Sequence, residues 1–273
     1  MYSGFITPTK VVPRLGIHQR FDLAAYRMVE PYLPATFPKM KAIYHFEGYN
    51  GPDGIKVKSL GVNDPSHKYD PSHMYDPVTN TGHVPRLIMN HYRSLVEALR
   101  RDDTIRAAFD ASWMAHYIGD GLTPAHHWPL TDKVLEARDL VMAVEPDAKD
   151  LVRFMALAKR NWALWGAKGH YSTHFNFEIG IAVALMVVPI RPKFDEAVLA
   201  HAGRIGPIDF FREQALQISD LNLYNRFYKE GWNNDIATIV KNEVAPLGAA
   251  TIGYIWLLAI LEAGQSLAID AAA

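Results

Sequence analysis

The sequence predicts an all-α fold, a single-domain multi-helix bundle with a long metal-binding loop, and three observations carry that prediction. Apolar residues recur every three or four positions over most of the chain, the spacing of one helical face. No stretch alternates apolar and polar residues as a half-buried strand would. Proline, glycine and asparagine fall between most of the periodic segments, where helices stop.

With 273 residues, 49% of them hydrophobic, the chain can bury a sizeable core. It has no linker rich in Ser, Gly or Pro and no repeat of fixed period, so residues 1–273 read as one domain with 1–15 as an N-terminal arm. The first helix is expected over 21–29, stopped by Pro31, Pro34 and Pro38. Residues 47–85 differ: Gly48, Gly51, Pro52, Gly54, Gly61, Pro65, Pro71 and Pro77 describe a long loop. Loops of that length are usually functional or held by something else, and metal is the expected tether.

From Val84 the pattern turns helical, with Leu87, Ile88, His91, Tyr92, Leu95 and Leu99 on one face. A second helix is expected over about 103–122, ended by Pro124, and others over about 147–166, 172–188, 207–229 and 235–264. The most apolar run, 249–261, is shorter than the roughly 20 residues a bilayer requires and reads as a buried helix. Trp162, Trp165, Trp232, Phe175 and Phe177, at helical spacing, read as core rather than as pocket lining.

Lys and Arg total 28 against 29 acidic residues, which argues against a protein held to nucleic acid mainly by neutralising phosphates. Without cysteine, disulfides and thiolate metal sites are excluded, and any metal must be held by His, Asp or Glu. The first twenty residues lack the basic start and apolar run of a secretory signal, so the expectation is a cytoplasmic protein, or a secreted one whose leader was removed.

The twelve histidines matter through their placement beside carboxylates. His116 and Asp120 are four apart, on one helical face and within reach of one metal. Pro124 then turns His126 or His127 back toward a neighbouring position. His174 and Glu178 repeat the four-residue spacing, and His170 lies one turn before them. A single such pair is more often a surface hydrogen bond than a metal site. Two pairs, a further histidine and a histidine-bearing loop together point to a shared cluster. His45, His67, His83, His91 and His201 read as supporting or ordinary groups, and Asp70 and Asp76 as turn-fixing residues.

The segment His116-Tyr-Ile-Gly-Asp120 followed by Pro124-Ala-His126 resembles the HxxxD…PxH segment of bacterial zinc-dependent phospholipases C, whose superfamily includes single-strand zinc nucleases. His73-Met-Tyr-Asp-Pro77 is similar to a metal-binding segment of that family, and Gly16-Ile-His18 to its N-terminal histidine site. Ile43-Tyr-His-Phe-Glu47 resembles the segment that carries a metal-bound aspartate, with Glu47 in that place. His174-Phe-Asn-Phe-Glu178 resembles the HxxxE pair of the phospholipase branch, and 250–256 the final helix.

The resemblance implies up to three zinc ions. His73, His116, Asp120 and Glu47 would hold one; Asp120 would bridge to a second carried by His18; His126, His174 and Glu178 would hold the third, with His126 ahead of His127 on spacing. It also implies hydrolysis of phosphate esters by metal-bound hydroxide attacking phosphorus in line. Asp120 would bridge the catalytic metals, while Glu47 ligates metal, orients the water or acts as general base. The implied partners are phosphate esters, among them phospholipid head groups at a membrane surface, ahead of nucleic acid. Secreted members begin with a Trp whose amino group and carbonyl complete one metal site; here no Trp precedes Trp113, so an incomplete His18 site is expected. A single-strand nuclease and a catalytically degenerate metal-binding protein are the alternative expectations.

Overall fold

The computed structural model describes residues 16–54, 73–127, 130–145, 149–186 and 188–268. The N-terminal arm, His67, Asp70 and most of the expected long loop lie outside the described residues. What is described is helical apart from a two-residue hairpin, β1 (Tyr75–Asp76) paired antiparallel with β2 (Thr81–Gly82), too short to leave an alternating pattern in the sequence.

The helices are α1 (Ile17–Val29), α2 (Met40–His45), α3 (Val84–Arg100), α4 (Thr104–Gly121), α5 (Leu130–Met142) and α6 (Asp150–Trp165). They continue as α7 (His170–Leu185), α8 (Glu196–Ile205), α9 (Pro207–Asp220), α10 (Leu223–Glu230), α11 (Asn234–Ile239) and α12 (Ala245–Glu262). The expected single helix over 207–229 is two, because Asn222 adopts a left-handed conformation between α9 and α10, one that Asn tolerates. Helix α8, unforeseen in the sequence, is capped by Asp195, whose side chain accepts from the Ala197 amide, and ends at Gly206 with φ 87°. The other unforeseen helices are α2 and α5.

At the centre, α3 and α4 form an antiparallel hairpin whose inner faces meet α12, and α1 packs along α12 on another side. Ile88, Leu95, Met114, Ile118, Phe210, Phe211 and Trp256 are fully buried there. The Trp256 indole donates to the Ala111 carbonyl (3.1 Å), satisfying its one polar atom. Residues Asn234–Glu262 are long and apolar enough to span a membrane, but most of this stretch is buried within the protein, so it is a core element. Its continuity is broken by a wide π-turn at Val240–Val244, just before Pro246, which has no N–H to give to a regular α turn.

The aromatic residues expected in the core divide. Phe177 is buried against Tyr224, Phe227 and Trp232, and Trp232 lies so close to α7 that a Cβ on Gly180 would stand 2.1 Å from its ring. Trp162, Trp165 and Phe175 instead face solvent. Spacing places Trp162 and Trp165 on one face of α6, and that face points away from the protein.

Candidate metal centre

Asp120 occupies the last turn of α4, fully buried. His116, one turn earlier, places Nε2 at 3.3 Å from Asp120 Oδ2. His18, at the start of α1, approaches the other oxygen, Oδ1, at 3.2 Å, and its ring stacks on that of His116 with centroids 3.9 Å apart. His73, just before β1, contacts Asp120 Oδ2 through Nδ1. One carboxylate thus presents its two oxygens to imidazoles from three separate segments.

A second group lies beside the first. On α7, His174 Nε2 is 3.1 Å from Glu178 Oε1, and His126 Nε2 reaches the same oxygen at 3.0 Å from the 3₁₀ turn Pro124–His127. His126 Nε2 is also 3.8 Å from Asp120 Oδ1, which links the two groups. Its Nδ1–H donates to the His73 carbonyl at 2.7 Å, leaving the Nε2 lone pair facing the carboxylates. His127 turns the other way and donates through Nε2–H to the Gly121 carbonyl at 2.8 Å.

These residues fit a divalent cation in three donor sets: His18, His116 and Asp120; Asp53, His73 and His116; and His126, His174 and Glu178. Within each set the ligand atoms lie within 4.8 Å of one another. In a tetrahedron with Zn–N bonds of about 2.0–2.1 Å, neighbouring donors stand roughly 3.4 Å apart, and several of the contacts above approach that spacing. His18 Nε2 and His116 Nε2 are buried without a hydrogen bond, the condition of nitrogens aimed at a shared point rather than at each other.

Asp53 was missed in the sequence. It lies between Pro52 and Gly54, where no periodicity marks it, yet its Oδ1 stands 3.8 Å from His116 Nε2. The structure places Glu47, expected in that position, behind His116, with its carboxylate 3.4 Å from Nδ1. Glu47 also accepts from the Gly48 amide at 3.2 Å. A second missed carboxylate, Asp22, lies four residues after His18 on α1 and is buried. This is the same spacing that marks His116 and Asp120. Burial, then the neighbouring Glu47, push Asp22 well above the usual carboxylate range. His170 stands outside the donor sets.

The electrostatics divide the imidazoles. Burial lowers His18, with His116 adding to the effect, and burial pushes His126 down to about 4. Burial also opposes the cation of His116, but Asp120, Glu47 and Asp53 together outweigh it and raise the pKa to about 10. Asp120 and Glu178 lie well below the usual carboxylate range: burial disfavours their charge, and the surrounding histidines are among the groups that favour it.

No protein-family model matches the chain, and no curated protein matches it. Among solved structures it is similar to one described as "Crystal Structure Analysis of Clostridium perfringens alpha-Toxin Isolated from Avian Strain SWCP", with a TM-score of 0.46 and 14% identity. That match covers 91% of this chain and 64% of the other, so this chain spans less than two thirds of its length.

Proposed function

We propose that the protein is a zinc-dependent hydrolase of phosphate esters, acting on phosphodiesters of the phospholipid head-group type. The observation that carries this reading is the shared carboxylate. Asp120 faces His18 with one oxygen and His116 and His73 with the other, an arrangement suited to bridging two cations. Zinc bound in such a cluster supplies Lewis acidity and lowers the pKa of its water to about 7.

The protein's own groups would position this chemistry. Asp120, Asp53, His18, His73 and His116 would hold the paired cations, and His126, His174 and Glu178 the third. Glu47, accepting from His116 Nδ1–H, would fix the tautomer that leaves Nε2 free to ligate, and the His73 carbonyl does the same for His126. One Glu47 oxygen, like one of Asp22, is buried without a hydrogen bond, and Glu47 is the carboxylate to which we assign the role of orienting or activating the water. Glu178 and the near-neutral net charge of −1 support a small phosphodiester ahead of a long nucleic acid.

The test is metal content per chain, measured by elemental analysis on protein purified without added zinc or chelator, together with hydrolysis of bis(p-nitrophenyl) phosphate, a phosphorylcholine ester and single-stranded DNA. About three zinc ions, falling by one in His18→Ala, with turnover of the small diesters, is the expected result. Zinc at or below one per chain, or no turnover of any diester, would overturn the reading. Preference for single-stranded DNA would overturn the substrate class.

A further inference from the structure

Helix α6 is amphipathic in the wrong direction for a core helix. None of its residues is buried. Leu151, Phe154, Met155, Ala158, Trp162 and Trp165 fall at i, i+3, i+4, i+7, i+11 and i+14, one continuous helical stripe. This stripe is the outward one: Trp162 is 72% exposed, Leu151 and Phe154 67%, Trp165 65% and Met155 59%. The face turned toward the protein carries the less exposed Ala156, Arg160, Ala163 and Leu164. Helix α6 packs against α5 and α7, and both add to the apolar exterior. Leu140 of α5, with Met155 and Trp162, lines an open groove of about 660 Å³. On α7, Phe175, Ile179 and Val183, continued by Met186 just past its end, form a second outward stripe.

Soluble proteins rarely leave so much contiguous apolar surface without a partner, and the charge on α6 indicates which partner it is. Over residues 149–168 the chain carries Lys149, Arg153, Lys159, Arg160 and Lys168 against Asp150 alone, although the whole chain has a formal charge of −1. An apolar stripe ending in two tryptophans and accompanied by local cationic excess matches the anatomy of a helix lying in the interface of an anionic bilayer. A second copy would bring the same cationic segment against itself, which charge repulsion disfavours.

We propose that α6, flanked by α5 and α7, is a docking surface for anionic lipid bilayers, with Phe154, Trp162 and Trp165 inserting into the interface. Because α7 carries this outward stripe and also His174 and Glu178, docking would bring the donor cluster close to the lipid surface. The surface itself stands independently of the phosphoesterase reading.

The experiment is cosedimentation of the full chain with vesicles of pure phosphatidylcholine and of phosphatidylcholine containing phosphatidylserine. The variants are Phe154→Glu/Trp162→Glu and Lys149→Glu/Lys159→Glu, whose lysines are both exposed, with metal content and soluble-diester hydrolysis measured in parallel. The expected result is binding to the anionic vesicles that falls at least tenfold in the apolar variant. In the charge variant it should fall on anionic vesicles and lose its sensitivity to salt, while metal content and soluble activity stay unchanged in both. The proposal is overturned if the unmodified chain ignores anionic vesicles or the apolar variant binds equally well. It is also overturned if the chain is a dimer that Phe154→Glu/Trp162→Glu converts to monomer, since the stripe would then be covered by a second copy. Loss of soluble activity in the unmodified chain with vesicle binding retained would refute the phosphoesterase reading alone.

Discussion

The interior around Asp120 and the exterior of α6 invert the usual distribution of residues. In the first, His18, His116, His126, Asp22, Glu47 and Asp120 are buried where hydrocarbon would ordinarily sit; in the second, Leu151, Phe154, Met155, Trp162 and Trp165 stand in water. Each arrangement carries a desolvation or exposure cost. Buried ionisable groups are tolerated when paired or bound to metal, and exposed apolar faces when another surface covers them. The inversion suits the two kinds of partner proposed above, a cation inside and an apolar phase outside. Within 170–185 the two meet on one helix, α7, with His174 and Glu178 toward the cluster and Phe175, Ile179 and Val183 toward solvent.

The strongest way to break the comparison is at its polar pole. Asp120→Asn keeps the shape of the side chain and removes the charge that faces His18, His73 and His116. Phosphodiesterase activity should fall by more than about 100-fold, because loss even of a group that only supports a metal ligand costs about 10- to 100-fold. Glu47→Gln should fall within that smaller range, since Glu47 faces the Nδ1 side of His116. Circular dichroism should remain helical for both. Full activity in Asp120→Asn would show that the cluster is structural.

The polar pole was largely legible in the sequence because helices convert spacing into proximity. His116 with Asp120, and His174 with Glu178, follow from the four-residue rule alone, and Pro124 explains why His126 turns back. Asp53 was not legible, because the helical turn it lies in falls among the glycines and prolines of a segment without apolar period. Asp22 had a usable signal, the same four-residue spacing from His18, but its environment depends on Glu47 arriving from a different segment. At the apolar pole the periodicity of α6 was visible, yet period reports only that residues share a face. What that face meets is a property of the assembled fold, and this is why Trp162 and Trp165 read as core.

Titration sharpens the polar pole further. In the metal-free protein His116, raised to about 10 by Asp120, Glu47 and Asp53 against the effect of burial, carries a proton at pH 7. A zinc ligand must be neutral imidazole, so binding has to expel that proton. His126, lowered by burial to about 4, is already neutral at pH 7 and releases none. Zinc binding at pH 7 should therefore release about one proton from His116, and affinity should rise about tenfold per pH unit between pH 7 and 10. Calorimetric titrations in two buffers of different ionisation enthalpy measure the release directly. An observed heat independent of the buffer would contradict the charge assigned to His116.

The smallest expected effect tests the apolar pole, and it concerns stability. Ile118 on α4 and Leu151 on α6 are both large aliphatic residues on helices, but Ile118 is fully buried and Leu151 is 67% exposed. Ile118→Ala removes buried methyl groups and leaves a cavity, so it should cost about 2–5 kcal/mol. Leu151→Ala gives up little buried area, and alanine has the higher helix propensity, so its effect should stay within about 0.5 kcal/mol of zero. Chemical denaturation followed by circular dichroism, at matched zinc concentration, compares them. If Leu151→Ala proved as damaging as Ile118→Ala, the outward face of α6 would be packed against something within the folded chain, and the contrast between a wet apolar helix and a dry polar centre would disappear. If Leu151→Ala proved harmless to the fold, the apolar stripe would have no role in folding, and its composition would have to be explained by what α6 meets outside the molecule.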